Sequence, residues 1–159
     1  GFLEIGHNLY CGDDARGIIP NVKWLIEDEQ ARGSKIFFIC DTHDRDDLEF
    51  QVFPERCLRG TREAEVVPEL ACYEGELVRK RRYSAFYDTD LEVSLAKLRP
   101  EKIIICGVCT DICVMHTAAD ARNRDYRVEV PRDCVATFDL EAHRYALEHM
   151  ENILGARIV

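Results

Sequence analysis

Three groups of side chains have the types and spacing that chemistry needs. Cys113 ends the run Ile103-Ile-Ile-Cys106-Gly107-Val108-Cys109-Thr110-Asp111-Ile112. That run reads as a short apolar strand, a tight glycine turn and a helix start, with Thr110 or Asp111 as the cap. A cysteine in a first helical turn meets free backbone N–H groups and the positive end of the helix dipole, and both favour a thiolate. A thiolate so placed is a nucleophile, and acyl chemistry is the leading expectation. Lys80 and the triplet Asp41-Thr42-His43 add a cation, an acid and an imidazole. The rival reading takes Cys106-x-x-Cys109, with Cys113 as a third sulfur, for a redox couple or a metal–thiolate cluster. Against it, the redox motif opens a helix, whereas Cys106 closes a strand. A second ligand pair for zinc is also absent.

These groups need elements to hold them. Strand-like runs fall near 35–40, 76–80, 102–106, 126–130 and 156–159. Helical patterns lie between them. Ile18, Val22, Leu25 and Ile26 stripe a helix that ends at Gly33; Asp90 to Leu98 form a short one. Asp111 to about Arg124 carry Cys113, and Leu140, Leu147, Met150 and Leu154 stripe the last, closed by Gly155. Strands alternating with helices predict an α/β fold, a parallel sheet covered by helices on both faces. Ligands of such sheets bind beyond the carboxyl ends of the strands. Asp41-Thr42-His43, Lys80 and the turn before Cys113 all fall there. The stretch from Asp41 to Thr61 lacks periodicity, and a loop of that length is often functional.

At 159 residues the chain is one domain, 1–159. Apolar content of 47% with 32% charged residues fits a globular protein. A net charge of −9 argues against nucleic acid or an anionic membrane as partner. No apolar run approaches the roughly 20 residues that span a bilayer. With no secretory signal in view, a cytoplasmic setting is expected, and the eight cysteines are expected as thiols.

Several motifs together resemble the isochorismatase-like cysteine hydrolases, and within them the nicotinamidases. They are Asp41-Thr42-His43, Phe53-Pro54-Glu55-Arg56-Cys57, Gly60-Thr61, Lys80-Arg81-Arg82-Tyr83-Ser84-Ala85-Phe86, and Gly107-Val108-Cys109-Thr110-Asp111-Ile112-Cys113-Val114, continued by Thr117-Ala118-Ala119-Asp120-Ala121. The resemblance covers nearly the whole chain. It implies a Rossmann-like parallel sheet and a homodimer or homotetramer. It also implies Cys113 as nucleophile and Lys80 as the lysine paired with it. The N–H groups of Cys109 and Cys113 match the oxyanion hole, and the Val108–Cys109 peptide matches one that is cis in the family. The implied activity is hydrolysis of a small amide such as nicotinamide, through a thioester, to the acid and ammonia. A carbamoyl compound or a vinyl ether is the alternative substrate, and a non-catalytic homologue the alternative class. Phe2, Phe53, Phe86 and Tyr87 are expected to wall a planar ring.

Two departures shape the expectations. The family's first strand ends in a catalytic Asp, in a motif like Val-Asp-Met-Gln-x-x-Phe, and this sequence opens just past it at Gly1-Phe2-Leu3. An N-terminally incomplete domain with a gap in the centre of its sheet is therefore expected. The second departure concerns metal. Asp41, His43 and Glu49 match ligand positions for a divalent ion, zinc or manganese, but Arg56 stands where the family usually has His. A guanidinium cannot ligate. The competing reading is a polar cluster in which Arg56 pairs with these acids.

Overall fold

The computed structural model describes residues 1–159. Seven short strands are all paired in parallel: β1 (Phe37–Asp41), β2 (Glu76–Lys80), β3 (Ile103–Ile104), β4 (Gly107–Val108), β5 (Val128–Val130), β6 (Val135–Ala136) and β7 (Arg157–Ile158). The helices are α1 (Asp13–Gly17), α2 (Ile19–Ala31), α3 (Leu91–Leu98), α4 (Met115–Arg122) and α5 (Leu140–Asn152).

Side chains alternate across the strands, and each set meets a different helical layer. Phe37, Ile39, Ile103 and Ile105 pack against the core built with Leu91 and Leu95 of α3, Ala118 and Ala121 of α4, and Leu147 and Met150 of α5. Ile36, Phe38, Cys106 and Val108 turn the other way, onto Ile18, Val22 and Ile26 of the α1–α2 segment. The expected α/β sandwich, with helices on both faces, is thus observed. Leu147 and Met150 are fully buried, each contributing roughly 1.5–3 kcal/mol relative to exposure.

Three ladders replace one continuous sheet: β1 with β2, β3 with β5 and β7, and β4 with β6. No ladder joins β1 to β3, where a central gap was expected, and Phe37 to Asp41 are only half-buried. The strand expected over 102–106 is shortened to Ile103–Ile104, and a second one, Gly107–Val108, follows it. Gly107 at φ 111° bends the chain, a conformation that costs glycine little, so that β3 pairs with β5 but β4 pairs with β6. The strand β6 has no signal in the sequence beyond Val135. No helix is long and apolar enough to cross a membrane.

Candidate active site

Lys80 is the last residue of β2, and the register sets it beside Asp41, the last of β1. Its side chain is buried, and its Nζ donates to Asp41 Oδ1, to the Arg82 carbonyl at 2.8 Å and to Cys113 Sγ at 3.3 Å. All three hydrogens of the ammonium are used. Burial works against its charge, but Asp41 and Cys113 outweigh that and raise its pKa. For Asp41, burial likewise opposes ionisation, while the His43 imidazole beside it and the charge of Lys80 prevail and lower the pKa. The result is a buried ion pair with a sulfur on its far side.

Cys113 reaches that pair differently from expectation. Residues Thr110–Val114 form a π-helical turn that precedes α4, and no side chain caps it. Neither expected cap acts as one. Thr110 is buried and its hydroxyl meets His143 Nδ1 at 2.9 Å, tying the turn to α5. Asp111 accepts from the Thr137 hydroxyl. Both side chains anchor the turn outward instead of closing its N–H groups. Burial pushes the Cys113 thiol above its usual range; Lys80 and a backbone N–H of Cys109 pull it back only in part. The dipole-lowered thiolate expected from sequence is therefore replaced by a thiol that needs its lysine. The Val108–Cys109 peptide is cis, and Cys109 is buried beside it.

The CxxC does not close. Cys106 packs on the α2 side, where burial lifts its thiol to about 11, whereas Cys109 Sγ lies 3.8 Å from Cys11 Sγ. All eight cysteines are free thiols.

The corner expected to hold a metal is filled by ion pairs. Asp41 is taken by Lys80. His43 is buried, with Nδ1 3.0 Å from Asp47 Oδ2 and Nε2 3.8 Å from Asp41 Oδ2. Glu49 and Arg56 are both buried and paired through Glu49 Oε1 and Arg56 Nη2. Arg82 adds a second cation, 2.8 Å from Asp47 Oδ1 and 3.7 Å from Glu49 Oε2. Asp41, His43 and Glu49 do not converge on a common point, so the residues present do not fit a divalent ion.

Of the four rings expected to wall a substrate, the structure gathers two. The Arg56 guanidinium lies 5.1 Å from the Phe53 ring and 5.8 Å from the Phe2 ring. Phe86 is instead buried in the main core, covered by Arg124 at 4.7 Å, and Tyr87 is exposed beneath Arg81. The reason is local. Residues 81–88 turn tightly after β2, and the Ala85 N–H bonds to Thr117 on α4, which sends Phe86 inward. Tyr83, which the sequence did not single out, takes the place: its ring meets Phe53 edge-on at 6.4 Å and His116 at 5.3 Å. Arg82 and Asp47 were also missed. Their signals were weak: one follows Lys80 by two residues, the other caps the 3-10 turn Leu48–Gln51.

The isochorismatase domain model matches residues 2–158. The nicotinamidase PncA of Bacillus subtilis superposes with a TM-score of 0.93 at 34% identity, over 99% of this chain and 92% of that one. The pyrazinamidase/nicotinamidase of Streptococcus mutans gives 0.91 at 35%, over 98% and 92%. The pyrazinamidase of Pyrococcus horikoshii, solved in complex with zinc, gives 0.90 at 30%, over 98% and 91%. The chain belongs to the isochorismatase family of hydrolases.

Proposed function

We propose that this protein is a cysteine amidohydrolase that cleaves a small planar amide, nicotinamide first among them, to the acid and ammonia. The observation that carries the reading is the line from the half-buried Cys113 Sγ through Lys80 Nζ to Asp41, the last two side chains ending adjacent strands. A thiol held above its usual pKa is a poor nucleophile at rest. It becomes a strong one when its proton leaves and Lys80 remains to balance the sulfur's charge.

Cys113 Sγ attacks the amide carbonyl carbon, and the carbonyl electrons move onto oxygen. The N–H groups of Cys109 and Cys113 are the donors assigned to that oxyanion. The C–N bond breaks, ammonia departs with the proton taken from the thiol, and a thioester remains. The resemblance gives that proton to a carboxylate, the Asp that ends the family's first strand, while in this chain Asp41 holds Lys80 in place. Water then attacks the thioester, releases the acid and returns a proton to sulfur. Phe2, Phe53 and Tyr83 supply flat apolar surface for a ring. No step needs a metal.

A second reading keeps the machinery and changes the substrate to a carbamoyl compound or a vinyl ether. Arg56, in place of the family's usual histidine, would favour it only with the guanidinium free to meet a substrate carboxylate. Since Glu49 already pairs with that guanidinium, Arg56 is not free for a substrate carboxylate, and an uncharged substrate is preferred. The test is ammonia release from nicotinamide, with Cys113→Ala as control. Turnover lost in the variant supports the reading. No release from nicotinamide, beside turnover of a carbamoyl compound, moves the assignment to the second substrate class. A folded protein that turns over neither is a non-catalytic homologue.

A further inference from the structure

We infer that Arg56 closes the corner formed by Asp41, His43 and Glu49 to divalent ions, so that this chain, unlike its zinc-bound relative, is a metal-independent member of its family. Charge balance and geometry carry the inference together. Three carboxylates line the corner, Asp41, Asp47 and Glu49, and each has a fixed cation of its own: Lys80, Arg82 and Arg56. A divalent ion would add two positive charges where none is uncompensated, at side chains that are almost wholly excluded from water. To ligate, Glu49 would have to leave Arg56, and the guanidinium, only 3% exposed, would be left as a buried cation without a partner. Arg56 has little room to swing out. Its guanidinium lies against the Phe2 and Phe53 rings, and Nη1 reaches the Pro54 carbonyl at 3.4 Å.

Some polar atoms in the corner do remain without hydrogen bonds: Arg56 Nε, Glu49 Oε2 and His43 Nε2. One is a donor. A group that satisfies both donors and acceptors, such as water, suits that mixture; a bare cation suits only the acceptors. Glu49 Oε2 also faces Arg82 at 3.7 Å, a further positive charge for any ion to overcome.

The inference uses the proposed reaction only in its last measurement, so the two can fail separately. The protein is dialysed with excess zinc, then against buffer, and its metal content is measured by mass spectrometry, with zinc-dependent thermal unfolding as a parallel readout. The wild type is expected to retain far less than one zinc per chain and to show no shift in Tm. Arg56→His, which frees Glu49 and adds an imidazole, is expected to retain close to one zinc per chain and to gain a zinc-dependent rise in Tm. Stoichiometric zinc in the wild type overturns the inference. So does a folded Arg56→His that takes up no more zinc than the wild type, because Arg56 is then not what excludes the ion. If Arg56→His does not fold, the wild-type titration alone decides. Finally, EDTA should leave the wild-type rate on any turned-over amide unchanged. A rate abolished by EDTA and restored by zinc would refute metal independence while leaving the amidase reading intact.

Discussion

At Cys113 two opposing effects set the charge of the sulfur. Burial favours the thiol, and Lys80 at 3.3 Å favours the thiolate; burial prevails, and the pKa is raised. The thiolate fraction therefore grows as pH rises through and beyond the ordinary thiol range. Alkylation of Cys113 by iodoacetamide should accelerate across that range. In Lys80→Met the cation is gone while Asp41 stays close, so the midpoint should move to still higher pH. The rate at neutral pH should then fall about tenfold for every pH unit by which the midpoint rises. Peptide mapping of the time course by mass spectrometry checks both. An unchanged alkylation profile in a folded Lys80→Met would show that the lysine does not govern the sulfur.

Among the local elements, the turn Leu48–Gln51 depends on one side chain. Asp47 accepts from the Glu49 N–H at 2.9 Å, from Arg82 Nη1 at 2.8 Å, and meets His43 Nδ1 at 3.0 Å. Burial resists its ionisation, yet these donors hold its pKa at about 2. A carboxyl depressed in the folded state stabilises above its unfolded pKa of about 3.9, and that stability is lost as pH falls through the folded value. The linkage is worth roughly 2 kcal/mol at neutral pH. Asp47→Asn should therefore lower stability by about 1–2 kcal/mol at neutral pH, and the difference should shrink from about pH 4 downward. Urea midpoints for both proteins at neutral pH and near pH 3 measure it. A gap of equal size at both would mean that Asp47 acts by shape and not by charge.

For the molecule as a whole, the free thiols report how the layers close over the site. Cys72 is exposed and Cys113 half-buried, whereas Cys11, Cys57, Cys109 and Cys134 are buried. Burial also lifts Cys57 and Cys40 to about 11 and Cys134 to about 12. Native labelling at neutral pH should modify Cys72 first and Cys113 next, with the other thiols reacting only after denaturation. Cys72 lies outside the site, so Cys72→Ser should leave Cys113 as the dominant native label. Early labelling of Cys106 or Cys109 would mean that the segment around β4 opens, contrary to the packing of Cys106 on α2 and of Cys109 on Cys11 and Ala15.

Residue types and their spacing dictate what is local. Helix and strand periods, the glycine turn at Gly107 and the motifs around Lys80 and Cys113 each lie within a few residues, so their alternation placed both side chains at strand ends. Partner choice lay beyond it. Lys80 and Asp41 are 39 residues apart in the chain, and Lys80 and Cys113 are 33 apart. Which acid meets which base is decided by register and distance in the folded state. That is why Asp41 pairs with a lysine, Glu49 with Arg56, and Phe86 enters the core while Tyr83 takes its place at the rim. The pKa of Cys113 belongs to the same class. A helix start can be read from residue types, but the burial that overrides it exists only once both helical layers have closed on the sheet.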